Sequence, residues 1–530
     1  MPDNSSNGAS IPSKRICAID LGTNSFHAVI VDIFPDGSFR TVDKLKEMVI
    51  LAERGMEGRL SEDAMQRGLE ALKKIKILSD SQGVEQILAY ATSAIREAEN
   101  GGDFIQQAID EVGVKPLAIS GKKEAELIGY AVQHAVSLGQ KPVLMVDIGG
   151  GSVEFIVGNK HEFFYTASKK IGVARTAAKF ITTDPVNKKE KKAMKAFFKK
   201  ELEDLTEVLE RYPVDTIVGS SGTMENMAAM IANRNSISTS ISLNEMKFTD
   251  KEYKKFYKWC IKLNRKERLG VKGLEEKRVD IIAPGLVLLR LLMKKFNIKR
   301  IKISEEALRE GIILQYIKKQ KDLLDLDLVA SHPDPRERSV YELLRKCDWH
   351  EKHSTHVADM ALALFDELME DLDLPETDRE LLRYAALMHD IGYYISHRKH
   401  HKHALYLIRH ADLRGFREEE IEIMANVARY HRRSSPKSRH KYYDRLDKEL
   451  QDRIKKMSGI LRVADGLDRS HFQNVQKMEI ERKDSTIRLN ITTEADPQLE
   501  VWGARRKSQL FEEVTGKKLE IVPVGVAEEV

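Results

Sequence analysis

The sequence predicts an α/β protein with a duplicated core, a long helical segment after it, and a small α/β module at the end. Three observations predict this. CAIDLGTNS at 17–25 stands in register with LMVDIGGGS at 144–152, so that Asp20 falls on Asp147, Gly22 on Gly149 and Ser25 on Ser152, each behind an apolar triplet. Strand-like and helix-like patterns alternate along the first 320 residues. Past roughly residue 325 the pattern becomes helical, and it turns strand-like again only from 476 onward.

The elements follow in order. Alternation from Ile16 to about Ile33 predicts a strand, the DLGTNSF turn and a second strand, AVIVDI. SEDAMQRGLEALKKIKIL at 61–78 opens with an N-cap Ser and carries apolar residues at helical spacing. ILAYATSA predicts a strand and turn, and residues 103–112 a helix. KPLAIS then leads into GKKEAELIGYAVQHAV, a helix with a cap-like Ser-Gly before it. Residues 143–158 predict two strands around GGGS, and 190–210 a charged amphipathic helix. DTIVGSSGT at 215–223 reads strand to turn to helix. RVDIIAPGLVLLRLLMKKF predicts a buried helix entered through Pro284, and RIKISEEALREGIILQYI a short strand and a helix. SHPDPRER, with two prolines, reads as a linker. KMEIER, TIRLNITTE and KLEIVPV supply the strands of the terminal module.

The 530 residues suffice for three or four domains with real cores. Charged residues at 32% and apolar ones at 42% exclude a disordered chain. A net charge of +5 is too small to define a partner. Cys17, Cys260 and Cys347 show no paired spacing, which predicts a reducing compartment without structural disulfides. No apolar run approaches the roughly 20 residues needed to cross a bilayer. MPDNSSNGASIPSK lacks the apolar stretch of a signal peptide, so a disordered tail and a cytoplasmic address are expected.

Chemistry concentrates in the Gly-rich turns. Glycine admits close approach to the backbone, so its N–H groups can face an anion, and flanking carboxylates can hold a cation. One such turn fits a β-hairpin; two in register, with a third in VGSSGTMEN, point to a phosphate site between duplicated halves.

AIDLGTNSF, ATSAIREA, ISGKKEAELI, VDIGGGSVEF, GSSGT and ISEEALREGIIL together resemble the exopolyphosphatase / guanosine pentaphosphate phosphohydrolase family of the actin-like ATPase superfamily. The resemblance covers about residues 15–320 and, more loosely, the helical extension. It implies two ribonuclease H-like subdomains, 15–135 and 136–320, after a tail over 1–14, then a helical HD-like domain over 325–475 and the small α/β module over 476–530. It also implies roles. Glu124 matches the general base, favoured over Glu126 because the family places its base directly before Ala. Arg96 matches a phosphate-gripping arginine. Asp147 and Glu154, with Asp20 joining them, match the acids around a divalent cation, Mg²⁺. The phosphates are expected on Gly22, Thr23, Asn24 and Ser25, on Gly149, Gly150, Gly151 and Ser152, and on Ser220, Ser221, Gly222 and Thr223.

HSTHV at 353–357, MHDIG at 388–392 and VADGLDR at 463–469 fit the H…HD…D layout of HD-type metal phosphohydrolases. This makes His353, His389, Asp390 and Asp465 candidate ligands of a second divalent metal, with His400 or His403 and His431 extending the set. The phosphatase family often carries a degenerate domain of this type, whereas here the four positions are intact. The basic tracts HRKHHKHALYLIRH and RYHRRSSPKSRHK suit a polyanion. No reader module for nucleic acid accompanies them.

The implied activity is processive, Mg²⁺-dependent removal of terminal phosphate from inorganic polyphosphate by water. The alternative substrate is guanosine pentaphosphate, and a non-catalytic polyphosphate or nucleotide sensor is the third reading. A homodimer is implied by the resemblance alone, and a sugar-kinase reading lacks an adenosine-pocket signature.

Overall fold

The computed structural model describes residues 12–51, 58–237, 242–320 and 331–526. The chain divides into two compact units, one running to Arg338 and including Arg414–Phe416, the other formed by Ser339–Leu413 and the residues from Arg417 onward.

The first unit holds two sheets of the same design. In the first, β1 (Lys14–Leu21), β2 (Ser25–Ile33) and β3 (Phe39–Met48) form an antiparallel meander, and β4 (Gln86–Ala91) and β5 (Leu117–Ala118) add in parallel beside β1, giving the order β3-β2-β1-β4-β5. In the second, β6 (Val143–Ile148), β7 (Val153–Gly158) and β8 (Phe163–Lys169) repeat the meander. There β9 (Thr216–Ser220) and β11 (Arg300–Ile303) take the parallel places, and β10 (Lys247–Thr249) closes the edge, for the order β10-β11-β9-β6-β7-β8. The duplication in the turns therefore extends to two whole ribonuclease H-like sheets, the core arrangement of the actin-like superfamily.

Alternation along β1 explains how helices cover both faces. Cys17, Ile19 and Leu21 pack with Leu69 and Leu72 of helix Glu62–Ser81, whereas Ile16 and Ala18 face the cluster of Leu127 and Ile128. That second cluster also takes Met145 and Val218 from the other sheet, and Ile312 and Ile313 from helix Leu308–Lys319. Helix Gly121–Ala135 thus lies between the two sheets, and its first residue, Gly121, packs against Ser168 of β8. Close packing of the two helices depends on Gly311, where a Cβ would come within 2.1 Å of the Leu127 carbonyl oxygen.

Several expectations are met locally. Ser61 Oγ accepts from Ala64 N at 3.2 Å, and Ser120 Oγ from Lys123 N at 3.1 Å, so both predicted caps operate. Pro284 sits in the first turn of the buried helix Ile282–Lys295.

Others need correction. The tail expected over 1–14 ends earlier: Ser13 N donates to Ile33 O at 2.8 Å and β1 starts at Lys14, while residues 1–11 lie outside the described residues. The helix expected at 103–112 is α-helical over Gly101–Gln107 and continues as a π turn, Ala108–Val112. The single helix at 190–210 is two, Lys188–Glu201 and Glu203–Arg211, because Leu202 leaves the helical ψ range. SHPDPRER is not all linker, since Pro335 opens helix Pro335–Lys346. Strands β3, β8 and β10 carry no clear signal in the sequence: all three are sheet edges, β3 has exposed polar positions off the alternation, β8 is half-buried throughout, and β10 is three residues long.

The second unit is mostly helical, with a three-stranded sheet, β12 (Val475–Arg482), β13 (Thr486–Thr493) and β14 (Lys518–Val526), in that order. Helices Gln498–Lys507 and Gln509–Thr515 form the crossover between the parallel pair β13 and β14. Among the described residues no helix is long and apolar enough to cross a membrane, and Cys17, Cys260 and Cys347 are buried and unpaired.

Candidate active site

Asp20 and Asp147 end β1 and β6 at equivalent places, each just before its Gly-rich turn. Cross-strand register gives each a partner: Asp147 pairs with Glu154, and Asp20 with His27. His27 is thus the pseudo-symmetric counterpart of Glu154, two residues beyond the CAIDLGTNS repeat. Its Nε2 lies 2.7 Å from Ser25 Oγ. Burial, then Arg309, Lys46, Lys277 and Arg278, push its pKa down to about 3, so it is neutral. One half therefore offers two acids where the other offers one acid and a neutral imidazole beside cations.

The second turn is shaped as an anion cradle. Val173 N donates to Gly149 O at 2.9 Å, Ala174 N to Gly150 O at 2.9 Å, and Arg175 Nε to Gly151 O at 3.0 Å. In a trans peptide the N–H points opposite to the C=O. The amides of Gly150, Gly151 and Ser152 therefore face away from helix Val173–Phe180, toward the cleft. A Cβ on Gly150 would lie 3.0 Å from Asn24 Nδ2 and 3.6 Å from Thr23 Cβ, so the two turns face each other. In the first turn the carbonyls of Thr23 and Asn24 accept from Leu51, Val49 and Ile50, leaving Asn24 N–H turned to the same side. The third turn starts helix Ser221–Arg234, whose N-terminal dipole suits an anion. Ser220 Oγ donates to Asp147 Oδ2 at 2.6 Å, and Ser221, at φ +83°, donates to Ile148 O at 3.0 Å.

Glu124 enters from the first turn of helix Gly121–Ala135. It is buried, and Arg96 Nη1 donates to its Oε2 at 2.8 Å. Ser168 Oγ donates to Glu154 Oε1 at 2.7 Å. Burial raises all four acids, and neighbouring carboxylates add to this at Asp20, Glu124 and Glu154. Burial, then Glu124 and Asp147, push Asp20 up to about 7 against Arg309. Burial pushes Asp147 up to about 6 against Ser220, Arg278 and Arg309. Glu154 lies well above the ordinary range through burial, Glu124 and Asp147, and Glu124 is raised chiefly by burial. Asp20, Glu124, Asp147 and Glu154 therefore lie close enough for their charges to act on one another, and Arg96 joins them through Glu124.

Two arginines were not anticipated. Arg309, within the quoted ISEEALREGIIL, is held firmly charged by Glu310, Asp20, Glu225 and Asp147. Arg278 Nη1 donates to Thr223 Oγ1 at 3.2 Å, and its Nη2 would lie 2.0 Å from a Cβ on Gly222. A single Arg in a helix or loop leaves no periodic signal, so only the folded chain reveals either.

The expected second ligand set gathers in the other unit. His353 lies on helix Glu351–Leu368, His389 and Asp390 follow helix Asp378–Leu387, and Asp465 sits in helix Lys448–Leu467. His353, His389 and Asp390 form one group able to hold an ion, and Asp390, His400 and His431 another. Of the two residues left open, His400 is the member and His403 is not. The basic segment around Arg432 lines a cavity of about 920 Å³ beside this cluster.

Comparison with known proteins places this geometry in a family. Residues 29–320 match the Ppx/GppA phosphatase family, and residues 336–501 match Ppx/GppA phosphatase, domain III. The chain is 30% identical over 418 residues to a guanosine-5'-triphosphate,3'-diphosphate pyrophosphatase of Photobacterium profundum, covering 79% of this chain and 80% of that protein. It resembles the crystal structure of an exopolyphosphatase from Cytophaga hutchinsonii, with 32% identity, a TM-score of 0.55, and coverage of 58% of this chain and 98% of that one. An Aquifex aeolicus member of the Ppx/GppA family is similar at 28% identity and a TM-score of 0.51, over 58% of this chain and 99% of the other. The fold and these matches define a phosphohydrolase. The chain belongs to the Ppx/GppA phosphatase family, hydrolases of phosphoanhydride bonds that act on polyphosphate or guanosine polyphosphates and typically depend on divalent cations.

Proposed function

We propose that the chain is a Mg²⁺-dependent exopolyphosphatase that removes terminal phosphate from inorganic polyphosphate processively, by direct attack of water. The observation that carries this reading is the convergence of Glu124, Asp20, Asp147 and Glu154 beside paired Gly-rich turns. Burial raises all four acids, and Glu124 and Asp147 push Asp20 up further. That donor set fits a hard divalent cation, which Asp147, Glu154 and Asp20 would hold directly or through water. When bound, the cation would neutralise charge on the phosphoryl oxygens.

The remaining steps belong to the chain. The amides of Gly150, Gly151 and Ser152, with Asn24 opposite, hold the terminal phosphate. Glu124, in its ionised form, takes a proton from water as the water oxygen bonds to phosphorus. The P–O–P bridge breaks, and the shortened chain departs with the electron pair. Arg96 orients Glu124 and stands ready for phosphoryl oxygens, and Arg278 and Arg309 add positive charge where it accumulates. A loose transition state needs such placement and neutralisation more than a covalent intermediate, so the buried cysteines play no part.

Similarity to the Cytophaga hutchinsonii exopolyphosphatase supports polyphosphate as substrate. The Photobacterium profundum relative favours a second reading, removal of the 5′ γ-phosphate of guanosine pentaphosphate. Both substrates end in the same anhydride, so release rates on long-chain polyphosphate and on guanosine pentaphosphate, measured side by side, decide between them. A non-catalytic sensor would release phosphate from neither with any divalent ion. We further propose a cytoplasmic homodimer, which light scattering of the purified protein tests.

A further inference from the structure

The His/Asp cluster of the second unit has no task in polyphosphate cleavage, yet it is built with the features of a metal centre. Asp390 has its two oxygens divided between two groups. Oδ2 lies 3.5 Å from His389 Nε2 and 3.9 Å from His353 Nε2, while Oδ1 lies 3.1 Å from His400 Nε2 and 3.6 Å from His431 Nε2. Asp465 Oδ1 completes the first group, 3.9 Å from both His353 Nε2 and His389 Nε2. Nitrogen ligands about 2.1 Å from one ion at tetrahedral angles stand about 3.4 Å apart. The observed separations are close to that, with one carboxylate placed to bridge two ions.

The imidazoles are oriented from behind. His389 Nδ1 donates to Ala386 O at 2.6 Å, His431 Nδ1 to Ala428 O at 2.6 Å, and His400 Nδ1 to His397 O at 3.2 Å. His353 Nδ1 lies 2.7 Å from Asp468 Oδ2. The bonds of His353, His389 and His431 put the proton on Nδ1 and turn Nε2 into the cluster, as partners behind metal-binding histidines do, while His400 Nε2 lies 3.1 Å from Asp390 Oδ1 and 3.4 Å from His431 Nε2. A buried polar network would satisfy those atoms internally. Here Nε2 of His353 and of His389 has no hydrogen-bond partner although both side chains are almost wholly buried, at 2% and 0% exposure. Such orphaned acceptors point to a missing ligand.

The cluster opens on the cavity of about 920 Å³, of the size that takes a nucleotide-sized ligand. Arg432, Arg433, Lys437, Arg469 and Arg506 line it, and Glu513 is the one acid of its lining outside the cluster. Two cations already reach these residues: Arg432 Nη1 donates to His400 Nε2 at 3.1 Å, and Lys507 Nζ pairs with Asp465 Oδ2, the oxygen turned away from the first group. With ions bound, Arg432 would be released toward an anion in the cavity. Tyr393 and the half-exposed Trp502 supply ring faces on its wall.

We propose that this unit carries a second hydrolytic centre, in which His353, His389, Asp390 and Asp465 hold one divalent transition-metal ion, Asp390, His400 and His431 hold another, and the basic cavity takes a nucleotide-sized phosphate ester with several negative charges. The reaction is ester hydrolysis: the oxygen of water bonds to phosphorus, the P–O bond to the alcohol breaks with its electron pair on the alcohol oxygen, and that oxygen takes up a proton from the water. Ester and water give alcohol and phosphate, with no further reactant. Two divalent ions on one phosphate lower the pKa of water and neutralise attacking and leaving oxygens.

The test uses the full chain carrying Glu124→Gln, so that ester hydrolysis is read apart from the proposed polyphosphate site. After chelation and loading with Mn²⁺, metal content is measured by mass spectrometry, and hydrolysis of p-nitrophenyl phosphate and adenosine 3′,5′-bisphosphate is followed. Loss of two Mn²⁺ per chain on adding Asp390→Asn, loss of one on adding His431→Ala, and loss of ester hydrolysis in both is the expected result. Circular dichroism checks that the variants fold; if Asp390→Asn does not, failure of Mn²⁺ to raise the thermal midpoint of the Glu124→Gln chain overturns the proposal. Unchanged metal content in Asp390→Asn overturns it too, as does two-metal loading with neither ester hydrolysed.

Discussion

Arg96 Nη1 donates to Glu124 Oε2 at 2.8 Å and to the Ile119 carbonyl at 2.9 Å, so one guanidinium ties the candidate base to the loop preceding its own helix. The pair is largely shielded, with side-chain exposures of 20% and 8%. Burial raises the Glu124 pKa and Arg96 restrains the rise. A base with a raised pKa is protonated, and inactive, over a wider acidic range. The acidic limb of kcat/KM should therefore lie above the ordinary glutamate range. Arg96→Ala should move it to still higher pH while lowering kcat. A pH–rate series on both proteins checks the sign; a limb that moves down, or not at all, separates Arg96 from the titration of the base.

Glu124→Gln keeps the shape and removes the proton acceptor. Phosphate release should fall about 10²–10⁴-fold, with affinity for polyphosphate nearly unchanged, read from equilibrium binding beside steady-state turnover. A parallel loss of binding would mean that Glu124 holds the substrate.

Gly172 closes the back of the Gly149–Ser152 turn. A Cβ there would lie 2.4 Å from Gly150 O and 2.5 Å from Gly151 C, backbone atoms that cannot swing aside. Gly172→Ala should cost about 1–3 kcal/mol of stability and raise KM, because the amides facing the phosphate shift together. Thermal melts and initial rates report the two effects separately.

Away from the cleft, Glu190 tests the electrostatics of the fold. Burial would raise its pKa, but hydrogen bonds from Thr183, from the Thr182 and Asn187 amides and from Thr182 Oγ1 outweigh this and bring it down to about 2. A depressed carboxylate pKa contributes stability that is present above the unfolded-state value and lost as pH falls through the folded one. Glu190→Gln should cost about 1–3 kcal/mol at neutral pH. The gap between variant and parent should narrow between the usual glutamate pKa and about pH 2, as denaturant melts at several pH values will show.

Much of this arrangement was legible in the chain. The register of Asp20 with Asp147 foretold the two like sheets, because a strand ending in an acid and a Gly-rich turn is a local signal. Ser61 and Ser120 announced their helices for the same reason. Arg278, Arg309 and His27 were not legible: their positions arise from strand pairing and interlobe packing, which no short window records. Strand β3 stayed hidden because FRTVDKLKEM mixes its polar and apolar positions on a sheet edge. In the second unit, the spacing of His353, His389, Asp390 and Asp465 foretold their meeting. The choice of His400 over His403 depended on which side of helix His400–His410 turns inward.

The most direct test is single-turnover hydrolysis of long-chain polyphosphate in ¹⁸O-labelled water with Mg²⁺, by the parent chain and by Glu124→Gln. The account predicts one ¹⁸O atom in each orthophosphate released by the parent, none in the shortened chain, and almost no release by the variant. Label in the remaining chain, or release undiminished in Glu124→Gln, would contradict it.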